Sequence, residues 1–177
     1  MNIEYEIKVL DIDVSKVRTT LKSLGFRQAS VIEFRRYVYL SAQNSKTWLR
    51  LRTDGKKTTL TLKKYVSDAI DGVEETEVIV NDFETTNQIF EGLGLHAQNY
   101  QENRRTLFIK KDSDLEVSVD EWPHIPPYLE IEAKSQTTVE ALLKQMNLSS
   151  LPTTSAPTSE VYKRYGLAID DYQILRF

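Results

Sequence analysis

Apolar and charged residues alternate from the third position of the chain, where Ile3, Tyr5, Ile7 and Val9 enclose Glu4, Glu6 and Lys8. A period of two is strand spacing, because successive side chains of a β-strand point to opposite faces. The alternation therefore predicts a strand with its charges on one face and its apolar residues on the other. The spacing returns at Arg50 and Arg52 beside Leu49 and Leu51, at Glu75 and Glu77 around Thr76, and at Glu116, Ser118 and Asp120 around Val117 and Val119. Glu130 and Glu132 repeat it around Ile131. Runs rich in Val, Thr, Tyr, Leu and Ile over 31–40, 46–53, 58–65, 99–110 and 115–121 bring the expected count to about eight strands. Asp54-Gly55 and Asp71-Gly72 supply turn signals between them.

A longer period marks helices. Asp13 precedes Val14, Val17, Leu21 and Leu24, with Gly25 as the stop, and Asp82 precedes Phe83, Ile89, Phe90 and Leu93, with Gly94 as the stop. Thr138 precedes Val139, Leu142, Leu143 and Met146, with Asn147 in the corresponding place. Each helix follows a strand carrying Glu-x-Glu, so three strand-then-helix units form a weak internal repeat. A short helix is expected over 159–165 up to Gly166, a loop over 151–157, and a terminal clasp at 175–177. Pro123, Pro126 and Pro127 predict an exposed, stiff connection.

With 177 residues, 40% hydrophobic and 28% charged, the chain reads as one globular domain over 1–177, burying about 70% of its unfolded surface. Its 23 basic residues are outnumbered by 26 acidic ones, which predicts no nucleic-acid partner and no membrane surface. No stretch approaches the 18 or so apolar residues of a membrane span, so the expected location is cytoplasmic. The absence of cysteine excludes disulfides, thiolate metal sites and cysteine nucleophiles. His96 and His124 lack metal-ligand spacing; a metal would have to be a hard cation held by carboxylates, Mg²⁺, Mn²⁺ or Ca²⁺.

Two models fit the strands, and they invert the protein. Each charged pair taken singly is what a solvated strand face looks like, and Tyr37, Tyr39, Trp48 and Trp122 read as packing residues. If instead the strands curl with their charges inward, helices must cover the apolar faces. The interior would then hold Lys8, Arg50, Arg52, Lys63 and one of Arg104 and Arg105 against Glu4, Glu6, Glu75, Glu77, Glu116, Asp120, Glu130 and Glu132. Unpaired burial of so many charges would cost several kcal/mol per ion, more than a net stability of about 5–15 kcal/mol can absorb. Such an interior must be wet, and a polyanion with divalent metal suits it.

The order Glu4-x-Glu6-x-Lys8, Leu49-Arg50-Leu51-Arg52, Thr59-Leu60-Thr61-Leu62-Lys63, Glu75-x-Glu77, Arg104-Arg105, Val119-Asp120 and Tyr128-Leu129-Glu130-Ile131-Glu132 closely resembles the CYTH, or triphosphate tunnel metalloenzyme, superfamily. The likeness spans nearly the whole chain. Arg36-Tyr37-Val38-Tyr39 and the segment from Trp122 to Tyr128 look most like the bacterial subgroup labelled class IV adenylate cyclase. The resemblance implies an α+β fold: an eight-stranded antiparallel β-barrel with helices packed outside, whose tunnel binds a triphosphate with Mg²⁺ or Mn²⁺.

By the same resemblance Glu4, Glu6, Asp120, Glu130 and Glu132 would be metal ligands, with Glu77 a further tunnel acid. Lys8, Arg50, Arg52, Lys63 and Arg104 or Arg105 would bind phosphate, and Glu4, Glu6, Lys8 and Lys63 would be catalytic. Asn103 departs from the basic residue often found at its position, which leaves open which arginine faces inward. Lys163 is the nearest counterpart of a late lysine but lies in a helical context. The implied activity is hydrolysis of a phosphoanhydride bond in tripolyphosphate, thiamine triphosphate or another simple triphosphate. Conversion of ATP to cyclic AMP and a non-catalytic polyphosphate-binding module are the alternatives. A homodimer also fits the resemblance.

Overall fold

Strand β1 (Tyr5–Val9) opens a computed structural model that describes residues 5–41, 46–66 and 73–177. Then follow β2 (Arg27–Leu40), β3 (Thr47–Thr53), β4 (Thr58–Tyr65), β5 (Val73–Val80), β6 (Asn99–Ile109), β7 (Glu116–Glu121) and β8 (Tyr128–Ala133). These are the eight strands that alternation predicts. Two short additions were not expected: β9 (Thr153–Thr154), inside the anticipated loop, and β10 (Ile174–Leu175). The helices are α1 (Val14–Ser23), α2 (Phe83–Gly92), α3 (Gln136–Gln145) and α4 (Thr158–Arg164).

Hydrogen bonding orders the strands β5-β4-β3-β2-β6-β7-β8-β1-β9, with β10 beside β6. The pairings β1–β8, β2–β3, β3–β4, β4–β5, β6–β7 and β7–β8 are antiparallel; β10 runs parallel to β6, with Ile174 opposite Tyr100. The path ends at β5 and at β9, so barrel closure is not among these pairings. The sequence expectation of an α+β antiparallel sheet with external helices otherwise holds.

The described elements gather into two compact units. In the first, β1, β7, β8 and the latter part of β6 turn one face to α1 and α3. Val9, Val117, Val119, Leu129, Ile131 and Ala133 pack there against Val17 and Leu21 of α1 and Val139, Leu142 and Leu143 of α3. Burying each such side chain is worth roughly 1.5–3 kcal/mol, which is why the alternation fixes the register so firmly. In the second unit Tyr39 and Leu51 pack on Phe83 of α2, with Tyr37, Leu49, Leu60 and Phe90 around them. The Tyr37 and Phe83 rings stack at 5.1 Å. The apolar residues thus lie beneath helices, and the charged residues between them take the opposite face.

The helix boundaries follow the expected caps with one correction. Asp13 and Asp82 accept hydrogen bonds from Lys16 N at 3.0 Å and Thr85 N at 2.6 Å. At α3 the cap is Ser135, three residues before Thr138, whose backbone N–H it accepts at 3.2 Å. Thr138 is a good cap residue by type but sits one turn inside. The proline connection is also not simply exposed, because Trp122, Pro123 and Ile125 are buried while His124 and Pro126 face solvent. Of the expected terminal clasp only Leu175 packs in, fully buried, whereas Arg176 and Phe177 are exposed.

Candidate active site: two ionic walls

On the first unit, the face opposite α1 and α3 carries three cross-strand rows. Glu6 pairs with Glu132, which pairs with Glu116; Lys8 pairs with Glu130, which pairs with Ser118; Arg105 pairs with Asp120. Lys8, Asp120 and Glu130 are buried. Arg105 grips Asp120 with two bonds, Nε to Oδ1 at 2.7 Å and Nη2 to Oδ2 at 2.8 Å. It also donates to Glu130 Oε1 and stands 3.9 Å from Glu116. Lys8 donates to Glu6 and lies 3.7 Å from Glu130 Oε2. Ser118 Oγ donates to Asp120 Oδ1 at 3.2 Å.

These contacts decide the ionisation of the wall. Burial alone would raise the Glu130 carboxyl, but Arg105 and Lys8 override it and hold the group down at about 2. Burial alone would lower the Lys8 ammonium, yet Glu6 and Glu130 raise it above its ordinary value. Desolvation likewise disfavours the Arg105 cation, and Glu130 with Asp120 reverses that. Because the Glu130 value is depressed on folding, it contributes stability that is complete above the ordinary carboxylate range and lost as pH falls toward about 2. Urea unfolding in metal-free buffer should show stability falling between pH 4.5 and about 2. Glu130→Gln should flatten that limb; an unchanged slope would contradict the depressed carboxyl.

The second unit has its own wall, on the face opposite α2. Arg36, Arg52 and Thr59 form one row, and Val38, Arg50, Thr61 and Glu77 the next. Trp48, Lys63 and Glu75 form the third. Arg50 Nη2 donates to Thr61 Oγ1 at 3.3 Å and lies 3.8 Å from Glu77, whose Oε2 accepts from Thr61 Oγ1 at 2.8 Å. Lys63 donates to Glu75. Burial would raise the Glu75 carboxyl, but Lys63, then Arg50 and Arg52, lower it. The Arg52 guanidinium lies over the Phe34 ring at 4.7 Å. Arg36 is buried and donates to Asn103.

The family model described as the CYTH domain matches residues 2–159, through elements of both units. A protein of Methanocaldococcus jannaschii, provisionally named an adenylate cyclase, is 32% identical over 136 residues, 73% of this chain and 76% of its own. This chain belongs to the CYTH family. Among solved structures, the PH1012 protein of Pyrococcus horikoshii is similar with a TM-score of 0.72 at 18% identity, over 84% of this chain and 94% of that one. HpAC1 from Hippeastrum, named as an adenylyl cyclase with a dominant triphosphatase activity, has a TM-score of 0.60 at 18% identity, over 96% and 98%. CYTH proteins are triphosphatases or adenylate cyclases, and divalent-metal dependence accompanies the family.

Against this CYTH background the sequence-predicted residues separate by unit. Glu6, Lys8, Arg105, Asp120, Glu130 and Glu132 come together on the first wall; Arg50, Arg52, Lys63 and Glu77 on the second. Glu4 lies outside the described residues, as does Asp71-Gly72. Arg105 takes the wall face, whereas Arg104 shares the parity of Thr106 and Phe108 on the opposite face. Lys163 is exposed on α4 and bonded to Glu160 at 2.7 Å. The site reading passed over Arg36, Thr59, Thr61 and Ser118. The signal for the last three was available, since each has the strand parity of an assigned ionic residue.

The donors suit a hard divalent cation: all are carboxylate oxygens, and Glu6, Glu132 and Glu116 form a like-charged row that cation binding would relieve. Among the described residues, no three carboxylates converge as a ready-made metal cluster. Asp120 and Glu130 are engaged with Arg105. No described helix is long and apolar enough to cross a membrane.

Proposed function

We propose that this CYTH protein is a metal-dependent triphosphatase that hydrolyses the terminal phosphoanhydride of tripolyphosphate or a simple organic triphosphate. The observation that carries the reading is the segregation of ionic side chains, with apolar neighbours turned beneath helices and charges gathered on the other face. On a solvent-facing sheet, Lys8, Asp120 and Glu130 would not be buried. The walls are chiefly cations, carboxylates and hydroxyls, which suit phosphoryl groups and a divalent ion.

In this reading Glu6 and Glu132 would hold Mg²⁺ or Mn²⁺, with Glu130 as a further oxygen donor, and Glu4 keeps the ligand role that the resemblance implies. Such an ion, when bound, supplies positive charge where phosphoryl oxygens accumulate negative charge. Arg50 and Arg52 bind phosphoryl oxygens through their planar forks, and Lys63 does so as a point charge. Lys8, held protonated by Glu6 and Glu130, donates to an oxygen of the cleaved bond and stabilises the departing diphosphate. Asp120 acts by orienting Arg105. Water adds to the terminal phosphorus as the bridging P–O bond breaks, giving orthophosphate and the diphosphate. Positioning and electrostatics suffice for such a transfer.

The test is a panel of tripolyphosphate, thiamine triphosphate and ATP, each with Mg²⁺ and with Mn²⁺, with products separated by chromatography. Orthophosphate should be released from tripolyphosphate, stop with EDTA, and resume when the divalent ion is restored. Cyclic AMP with pyrophosphate as the main products from ATP would replace this reading by the cyclase. Binding without turnover of any substrate would leave a polyphosphate-binding module.

A further inference from the structure

At the β3–β4 hairpin end of the second wall, a cavity of about 180 Å³ is lined by Phe34, Arg52, Asp54, Lys57, Thr59 and Glu77. Thr59 is only 5% exposed, and its Oγ1 is buried without a hydrogen-bond partner. A buried hydroxyl without a partner carries an uncompensated desolvation penalty, so the position asks for an explanation. Thr59 stands directly across from Arg52, and Arg52 from Arg36, which places two guanidinium groups and the hydroxyl in one line over three strands.

The two carboxylates at the cavity are engaged at its edges. Asp54 Oδ1 accepts the backbone N–H groups of Lys56 at 2.8 Å and Lys57 at 2.6 Å, which lower its pKa. Glu77 accepts from Thr61 and faces Arg50. The Arg52 guanidinium covers one face of the Phe34 ring, so that face is closed to a stacking base. A hydroxyl donor, a guanidinium and an ammonium therefore border the cavity. We infer that it is an anion seat for one phosphoryl group, with Thr59, Arg52 and Lys57 as its donors, and that the Thr59 hydroxyl is a binding residue of this enzyme. The identity of the anion rests on the triphosphatase reading; the seat itself rests on the cavity and the unsatisfied hydroxyl.

Thr59→Val removes the hydroxyl while keeping the shape, and Thr59→Ser keeps the hydroxyl. Calorimetric titration with tripolyphosphate, pyrophosphate and ATP, with and without Mg²⁺, should show Thr59→Val binding tripolyphosphate about tenfold more weakly, with Thr59→Ser near the wild type. The ligand-free Tm of Thr59→Val should equal or exceed that of the wild type, since a buried group that lacks a partner has been removed. Lys57→Met, on the exposed hairpin, should weaken binding without moving Tm. Wild-type affinity in Thr59→Val, loss confined to ATP, or a wild type that binds no polyphosphate would each overturn the seat. A wild type that binds tripolyphosphate but does not cleave it would overturn catalysis and leave the seat standing.

Discussion

Arg105→Ala is expected to lower the stability of the protein by about 3–5 kcal/mol, because it strips the cation from two buried carboxylates at once. Asp120 loses a bidentate partner at 2.7 and 2.8 Å, and Glu130 loses the donor that does most to hold its carboxyl near 2. Lys8 remains, but at 3.7 Å from Glu130 and already donating to Glu6. Against a total of about 5–15 kcal/mol, that loss is a large fraction. Urea denaturation at neutral pH measures it. Arg105→Lys should recover part of the loss, since an ammonium restores charge but cannot reproduce the two-point grip. The deficit should shrink as pH falls, because protonation relieves the stranded acids. A neutral-pH cost below about 1 kcal/mol would mean that solvent screens this cluster, and the buried wall would be refuted.

Arg52→Ala should do the opposite, sparing the fold and removing activity. Its guanidinium is half-buried and rests on Phe34, a contact worth about 0.5–1 kcal/mol at an accessible site. For a chain of this size that corresponds to a Tm shift of about 1–4 °C. Loss of a phosphoryl-binding fork should reduce kcat/KM for tripolyphosphate at least 100-fold, which is about 2.7 kcal/mol of transition-state stabilisation. The two effects are read on one preparation, by calorimetry and by orthophosphate release at saturating Mg²⁺. Unchanged turnover would remove Arg52 from the site.

Much of the fold was legible because strand parity is a strict signal. Alternation around Ile7, Leu51, Val117 and Ile131 placed each charged neighbour on the opposite face, and the structure keeps that division. The helix ends at Gly25 and Gly94 were legible because both adopt positive φ, +86° and +79°, where glycine is favoured. Ser135 was missed because Ser and Thr are chemically equivalent caps, and only the backbone geometry selects between positions 135 and 138. The two-residue strands β9 and β10 carry too few residues to show a period. Arg104 and Arg105 are adjacent, so composition could not assign a face; the pairing of Arg105 with Asp120 does. Thr59 and Thr61 were passed over because their hydroxyls resemble ordinary strand threonines until burial and partners are known.

The buried ionic cluster of the first unit also bears on how this protein could be altered. Shape-matched apolar replacements for Lys8, Arg105, Asp120 and Glu130 together would be neutral or favourable for folding, since hydrocarbon needs no compensating partner. Redesign for heat resistance alone, exchanging all four at once, would therefore give a greasy, sturdier and inert descendant. Retaining the chemistry requires screening for turnover as well.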